Sequence, residues 1–306
     1  MKKLHKLLVA IVMAFTTFAF VGCGNAPAWQ QIDTINTKAS YQSVEYSEMT
    51  KAINDVSNNT TEEQEKVLTK VKLSSTVKSK GMDVKISGVF DTDETAKNLI
   101  AIKYHMIANS EMLGMPVEMG SVTIDGCIYI TSEDVPATTE TEATKVQYAY
   151  VDLTMTVAGE TQTIKLKSEL NASEEENPFA MFYEMAIESF TEMMNVKNIK
   201  TYFTINEAEA DNFNFEVANE NDVTKYRLTL KDAKTSVMEK ETIKNLESYV
   251  AIKNNQVLES YISVVTLDAD NAEFNASFSM KGYNDEVPQP NGTYKTVKEI
   301  MAEEMV

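Results

Sequence analysis

The sequence predicts an α+β protein: one domain, residues 43–306, built on an antiparallel sheet of about ten or more strands with helices on one face. Two observations carry that expectation. Apolar and polar residues alternate with a period of two over many segments, the pattern of strands that bury one face. Segments with helical spacing interrupt these runs and do not alternate with them, which argues against parallel βαβ units.

The chain begins with Lys2, Lys3 and Lys6, continues through the uncharged apolar run 7–20, and reaches Val21-Gly22-Cys23. That run is shorter than the roughly 20 residues a membrane-spanning helix needs, so residues 1–22 read as a secretory signal peptide. Phe20-Val21-Gly22-Cys23 resembles the lipobox of bacterial lipoproteins, in which the cysteine is acylated and becomes the new N-terminus. The resemblance implies a diacylglycerol on Cys23, which is enough for stable anchoring, and a mature chain held on the extracytoplasmic face of the cell membrane. An ordinary secretory signal with a chance cysteine is the alternative. Residues 23–42, with Pro27, Trp29 and mostly small or polar side chains, read as the lipidated cysteine and a tether.

Val44, Met49, Ile53 and Val56 give a helical pattern over 43–56, closed by Ser57-Asn58-Asn59. Thr60 or Thr61, with Glu63 or Gln64 three residues on, forms a capping-box start for a second helix ending near Lys70. Alternation then runs over 71–90 and changes parity at Ser79-Lys80-Gly81, which predicts a hairpin. A strand follows at 99–108, with Ile100, Ile102, Tyr104, Met106 and Ala108 on one face and His105 on the other. Asp125-Gly126 reads as a tight turn between strands 117–124 and 127–130. A loop is expected at 132–144, then a hairpin of 148–157 and 161–170 around Ala158-Gly159. Pro178 opens the most marked helix, 178–194, because proline is favoured in a first turn. Phe179, Phe182, Ala186, Phe190 and Met193 form its apolar face, widened by Met181, Met185, Ile187 and Met194. Further strands are expected at 199–205, 213–217 and 226–230, an acidic loop at 206–211, and a weaker helix at 236–248. Strands 249–253, 257–267 and 272–283 follow, the first two joined through Asn254-Asn255, then an extended stretch 287–292 and a short helix over 294–304.

Composition narrows the chemistry. Loss of residues 1–22 removes three lysines and no acid, taking the formal charge from −18 to −21, a surface that repels nucleic acid and anionic lipid headgroups. With Cys23 lipidated, Cys127 has no disulfide partner; it sits in an apolar strand and reads as a small buried hydrophobe. His105 is the one histidine after residue 22, so neither a hydrolytic triad nor a zinc site can be assembled. Asp91-x-Asp93 and Asp268-x-Asp270 open like calcium loops and then lack the glycine and glutamate such loops require. No cofactor motif is present, and no enzymatic activity is expected; a glycosidase using carboxylates alone is the enzymatic alternative.

The order of elements, with the strand segment Val122-Thr123-Ile124-Asp125-Gly126-Cys127-Ile128-Tyr129-Ile130 and the Met-rich helix, resembles lipoproteins of the LolA/LolB and LppX/LprG type. That resemblance implies a large curved antiparallel β-sheet, an unclosed half-barrel, with helices packed on one face and a hollow between that holds lipid. The implied function is a membrane-anchored extracytoplasmic lipoprotein carrying a lipid or other hydrophobic ligand. Phe179, Phe182, Met185 and Phe190 would line the hollow. The alternative is a non-enzymatic envelope interaction or solute-capture lipoprotein with a filled core, since Met and Phe also make ordinary cores. A monomer attached to the membrane through Cys23 is expected, with no nucleic-acid partner.

Overall fold

A computed structural model describes residues 39–59, 68–93, 95–113, 116–135, 144–170, 195–203, 205, 207–231, 235–238, 241–268, 270–296 and 299. They form strands β1 (Gln42–Val44), β2 (Lys70–Ser79), β3 (Met82–Asp91), β4 (Asn98–Asn109), β5 (Ser121–Val135), β6 (Thr144–Val157) and β7 (Glu160–Glu169). These are followed by β8 (Phe213–Glu220), β9 (Val223–Leu230), β10 (Thr235–Met238), β11 (Glu241–Lys253), β12 (Gln256–Leu267) and β13 (Glu273–Gly282). One helix, α1 (Tyr46–Asn59), and short 3-10 segments accompany them.

All thirteen strands belong to one antiparallel sheet in the order β1-β8-β9-β11-β12-β13-β2-β3-β4-β5-β6-β7, with β10 attached to β11. Two meanders, β2 to β7 and β8 to β13, are zipped together where β13 pairs with β2. The sheet is unclosed, with β1 and β7 at its edges. Tight turns set the register. Ala158-Gly159, Asn221-Asp222 and Asn254-Asn255 all take positive φ, the conformation of two-residue hairpin loops that match the twist of the flanking strands.

Register separates two faces. The inner face carries Leu73, Ile86, Ile102, Ile128 and Val151 on successive positions of the β2-to-β6 meander, and Phe278, Ile262, Leu228 and Phe215 on the other half, all buried. α1 lies over the β8 side. Its Met49 and Ile53, one turn apart, are both 1 % exposed in the main core, and the Tyr46 ring stands 5.0 Å from Phe215. The outer face is mostly polar, as an antiparallel sheet wetted on one side should be.

The hairpins expected at 71–90 and 148–170, and the strands at 99–108, 213–217, 226–230, 249–253, 257–267 and 272–283, appear at those places. The helix expected at 43–56 is α1, shifted by three residues to leave room for β1. Other expectations are overturned. Asp125-Gly126 is not a turn: β5 passes straight through it, and residues 117–119 are a 3-10 segment. Gly126 is needed because the Tyr104 ring of β4 lies over its backbone; a Cβ there would sit 1.7 Å from Tyr104 Cζ. The strand expected at 199–205 gives way to a 3-10 segment, Val196–Tyr202, capped by Asn195 Oδ1 accepting from the Lys197 amide at 2.7 Å. Its buried residues Ile199 and Tyr202, with the buried C-cap Phe203, recur at helical spacing. The acidic loop 206–211 is likewise largely the 3-10 segment Glu207–Asn212.

The helix expected at 236–248 is replaced by β10 and β11. A register shift between Ile243 and Asn245 puts Ile243 and Leu246 on the same face at a spacing of three, which imitates a helix. The loop expected from residue 132 starts later, since β5 runs to Val135. The second helix cannot reach Lys70, which opens β2, and residues 60–67 lie outside the described residues. The 178–194 helix lies outside them too, as do 297–298 and 300–304 of the helix expected over 294–304, whose first residues, 294–296, are instead extended, with Lys295 bridged to Leu166.

Candidate functional site

Cys23, Phe179, Phe182, Met185 and Phe190 lie outside the described residues. What the structure brings together is elsewhere. Beside α1 runs a groove of about 580 Å³ whose lining includes Tyr46, Thr50, Ile53, Lys200, Phe203 and Glu207. A second recess of about 310 Å³, lined among others by Val44, Tyr46, Phe213, Phe215, Asp211 and Lys231, lies where α1 meets β8. Each combines an aromatic or aliphatic floor with a charged rim.

The densest polar constellation is on the outer face of β5, β6 and β7. After β13 the chain runs from Tyr283, whose amide donates to the Lys70 carbonyl at 3.0 Å, across to the far edge of the sheet. There the Lys295 amide donates to the Lys165 carbonyl at 3.0 Å, and the Lys167 amide donates to the Lys295 carbonyl at 2.9 Å. Tyr294 packs edge-on against Tyr150 at 5.0 Å. Beneath this strap the outer face is dry: Val89, Ala101, Cys127, Tyr129 and Asp152 are all buried.

Lys165 ties the strap down. Its Nζ lies 3.3 Å from Asp152 Oδ2, donates to the Asn291 carbonyl at 2.7 Å, and stands 5.0 Å from the centre of the Tyr294 ring. Gly292, at φ 115°, lies so close that a Cβ would meet Lys165 Nζ at 2.8 Å. Lys167 rests on the faces of Tyr148 at 3.8 Å and Tyr150 at 4.9 Å while pairing with Glu133 at 3.4 Å. The Tyr150 hydroxyl donates to Glu133.

These surroundings fix the protonation states. Burial, and then the Glu133 carboxylate, raise the Tyr150 phenol; burial and Asp152 raise that of Tyr294. Partial burial works against ionisation of Glu133, but the Tyr150 hydrogen bond and Lys167 outweigh it and hold the carboxyl below its ordinary range. At neutral pH the tyrosines are donors and the carboxylate is charged. The arrangement is a latch of ion pairs, hydrogen bonds and ring contacts that fastens the strap to β6 and β7.

No family model and no curated protein matches this chain. Among the described residues, no helix is long and apolar enough to cross a membrane, and no group of three or more His, Cys, Asp and Glu is placed to hold a metal. Cys127 is a buried free thiol. Asp268, from the second calcium-like segment, uses Oδ1 to accept from the amides of Asp270 at 2.9 Å and Ala272 at 2.8 Å. Asp91 accepts from the Asp93 amide at 3.0 Å and pairs with Lys70 at 3.3 Å. Both therefore cap their own turns.

A further polar group marks the other end of the sheet. Arg227 stacks on Tyr41 at 4.1 Å and donates from Nε to Glu216 at 2.7 Å, while the Ser40 amide donates to Glu220 at 3.0 Å. Burial, opposed by Arg227, pushes the Tyr41 phenol up to about 12. The first described residues are thus fastened to the end of β8. Sequence reasoning missed both outer-face groups. Their signal was present as aromatic and lysine residues at outward strand positions, Tyr148 and Tyr150 opposite Glu169 and Lys167.

Proposed function

We propose that the protein is an extracytoplasmic lipoprotein, held at the cell membrane by lipid on Cys23, that captures a ligand or partner on its surface and has a filled core. One observation carries this choice over a lipid carrier. Inner-face residues through the middle of the sheet, among them Leu73, Ile100, Ile124, Ile130, Val250 and Met280, are 0 % exposed. A hollow admitting an acyl chain would leave part of the sheet beneath it accessible, because an acyl chain is wider than a water molecule. In this reading α1 and the 178–194 helix belong to a helical layer that fills the inner face of a curved half-barrel, and Phe179, Phe182, Met185 and Phe190 are core residues.

The second reading is a carrier of lipid or another hydrophobic ligand. It is favoured by the groove beside α1, whose floor includes Ile53 and Phe203. The two are separated by extracting the full chain, purified in a non-ionic detergent, with organic solvent and analysing the extract by mass spectrometry. The filled core releases only detergent-exchangeable lipid in proportions set by the host membrane. A carrier releases one lipid class near one molecule per chain, and that result would overturn the choice. Cys23→Ala should move the protein from the membrane fraction to the soluble one; retention in the membrane would refute the anchor.

A further inference from the structure

The outer face divides into two regions. One is covered by the strap; the other, formed by β13, β2, β3 and β4, is polar. In register across β13, β2 and β3 lie Ser279, Ser74 and Ser87, and in the row below Ser277 and Thr76, whose hydroxyls are 2.7 Å apart. Lysines surround these hydroxyl rows. Lys281 faces Lys72 directly across β13 and β2, Lys85 faces His105 across β3 and β4, and Lys103 ends the serine row. Among the described residues, Lys85, Lys103 and Lys281 make no ion pair. His105 has Asp125 at 2.7 Å, and Glu259 stands opposite Lys281 at the far margin.

Like charges directly opposite on neighbouring strands destabilise a sheet. In a chain with 46 acidic and 28 basic residues, chance favours mixed pairs, yet here Lys281 is set directly against Lys72. With strands about 4.8 Å apart and about 3.4 Å per residue, the patch measures about 14 Å each way. A patch of that span fits several repeats of an extended polymer better than one small ion.

We propose that this outer patch binds an anionic polysaccharide, its acidic groups meeting the lysines and its hydroxyls meeting the Ser/Thr rows. The overall negative charge opposes a polyanion at long range, but charges further away than a Debye length of about 8 Å at physiological salt are largely screened. Within the patch Lys72, Lys85, Lys103 and Lys281 surround the hydroxyl rows, and the acids Asp83, Asp125 and Glu259 stand at its margins. Tyr261, half-buried opposite Ser279, ends the serine row and offers one ring face, which suits a sugar; a nucleic acid is the poorer fit, because its successive bases call for several stacking platforms. The inference rests on the surface-capture reading for its setting, but the patch is tested without reference to the anchor.

The probe is dextran sulfate, with neutral dextran and polyadenylate as comparisons, titrated against the full chain in non-ionic detergent. Dextran sulfate should bind with a Kd that weakens as salt rises, and neutral dextran should not bind. The triple variant Lys85→Ala, Lys103→Ala, Lys281→Ala should weaken binding at least tenfold while its Tm is unchanged or higher, because repulsion is relieved. The control variant Lys51→Ala, Lys244→Ala, Lys253→Ala removes the same charge elsewhere and should bind within twofold of the parent. No binding, equal loss in both variants, or equal affinity for polyadenylate would overturn the proposal. A triple variant with lowered Tm and unaltered binding would instead assign the lysines to structure and overturn it equally. A lipid extract of carrier type would sink the surface-capture reading and leave this titration unaffected.

Discussion

Gly126→Ala is the sharpest perturbation of the sheet, because two explanations of that glycine predict different behaviour. The backbone at Gly126 is not among the positive-φ positions, so alanine is conformationally acceptable and in a strand is worth about 0.5–1 kcal/mol over glycine. The obstacle is Tyr104: a new Cβ would lie 1.7 Å from Cζ and 2.0 Å from Cε1, so the ring must leave its place. Overpacking of this kind costs about 1–3 kcal/mol, and displacing the ring from its half-buried site places the expected loss near 2 kcal/mol. At about 2–4 °C per kcal/mol for a domain of this size, Tm should fall by about 4–8 °C. In a Tyr104→Ala background the obstacle is gone, and the same substitution should be neutral or stabilise by about 0.5 kcal/mol. The coupling is therefore about 2–2.5 kcal/mol, measurable by urea denaturation followed by circular dichroism across the four members of the cycle. A turn glycine would instead cost the same in both backgrounds. Additivity within about 0.5 kcal/mol would refute the close ring approach and the continuous β5 with it.

Three further outcomes are expected. Ala158, at φ 51° in the β6–β7 turn, occupies the left-handed region at a cost of about 1–2 kcal/mol, so Ala158→Asn, which creates the favoured Asn-Gly pair, should stabilise by about 1 kcal/mol in the same denaturation assay; no gain would contradict the turn geometry. Arg227→Lys keeps the charge but loses the flat stack on Tyr41 and the Nε donor to Glu216, so about 1 kcal/mol of stability should go, with faster hydrogen exchange confined to residues 39–44 and the facing end of β8. Glu133 is a carboxyl depressed below its ordinary value of 4.5, so its stabilising contribution is complete above that pH and is lost as pH falls through the folded value; Tyr150→Phe should raise its titration midpoint by NMR and flatten the acid limb of stability, and an unmoved midpoint would remove Tyr150 as a cause.

The sheet was legible because its rules are local. Period-two alternation located most strands, and Lys80-Gly81, Ala158-Gly159 and Asn254-Asn255 marked their turns, since a two-residue hairpin needs residues that tolerate positive φ. The misreadings share a cause, in that a neighbour distant in sequence decided the local structure. Asp125-Gly126 carries the chemistry of a turn, but Tyr104, twenty-odd residues earlier, uses the missing Cβ. The register shift in β11 moved Leu246 into phase with Ile243, and pairing with β9 and β12 on both sides outweighed the helical spacing. The 3-10 segment 196–202 depends on Asn195 as a cap and on burial of Ile199 against the sheet. The outer-face latch was invisible for the same reason: Lys165 and Tyr294 are far apart in the chain and meet only because the strap returns across β5 and β6.

The strap also explains where the sheet stops being polar. Along β3 the outward residues run Lys85, Ser87, Val89; along β4, His105, Lys103, Ala101; along β5, Asp125, Cys127, Tyr129. In each strand the change from charged or hydroxylic to apolar occurs within four residues, on the side where the strap lies; the apolar members are buried, and Ser87 at the boundary is buried with them. An outer face that merely lacked selection would show no such boundary, because a lysine under the strap would be as common as a valine beyond it. Composition therefore follows cover along each strand, and the lysines Lys85 and Lys103 lie where the strap does not reach. Lys281 stands opposite Lys72 at the β13–β2 seam that joins the two halves of the sheet, with Glu259 on its other side, so the one place where the two meanders meet on the outer face is charged and hydroxylic where the strap-covered rows are apolar.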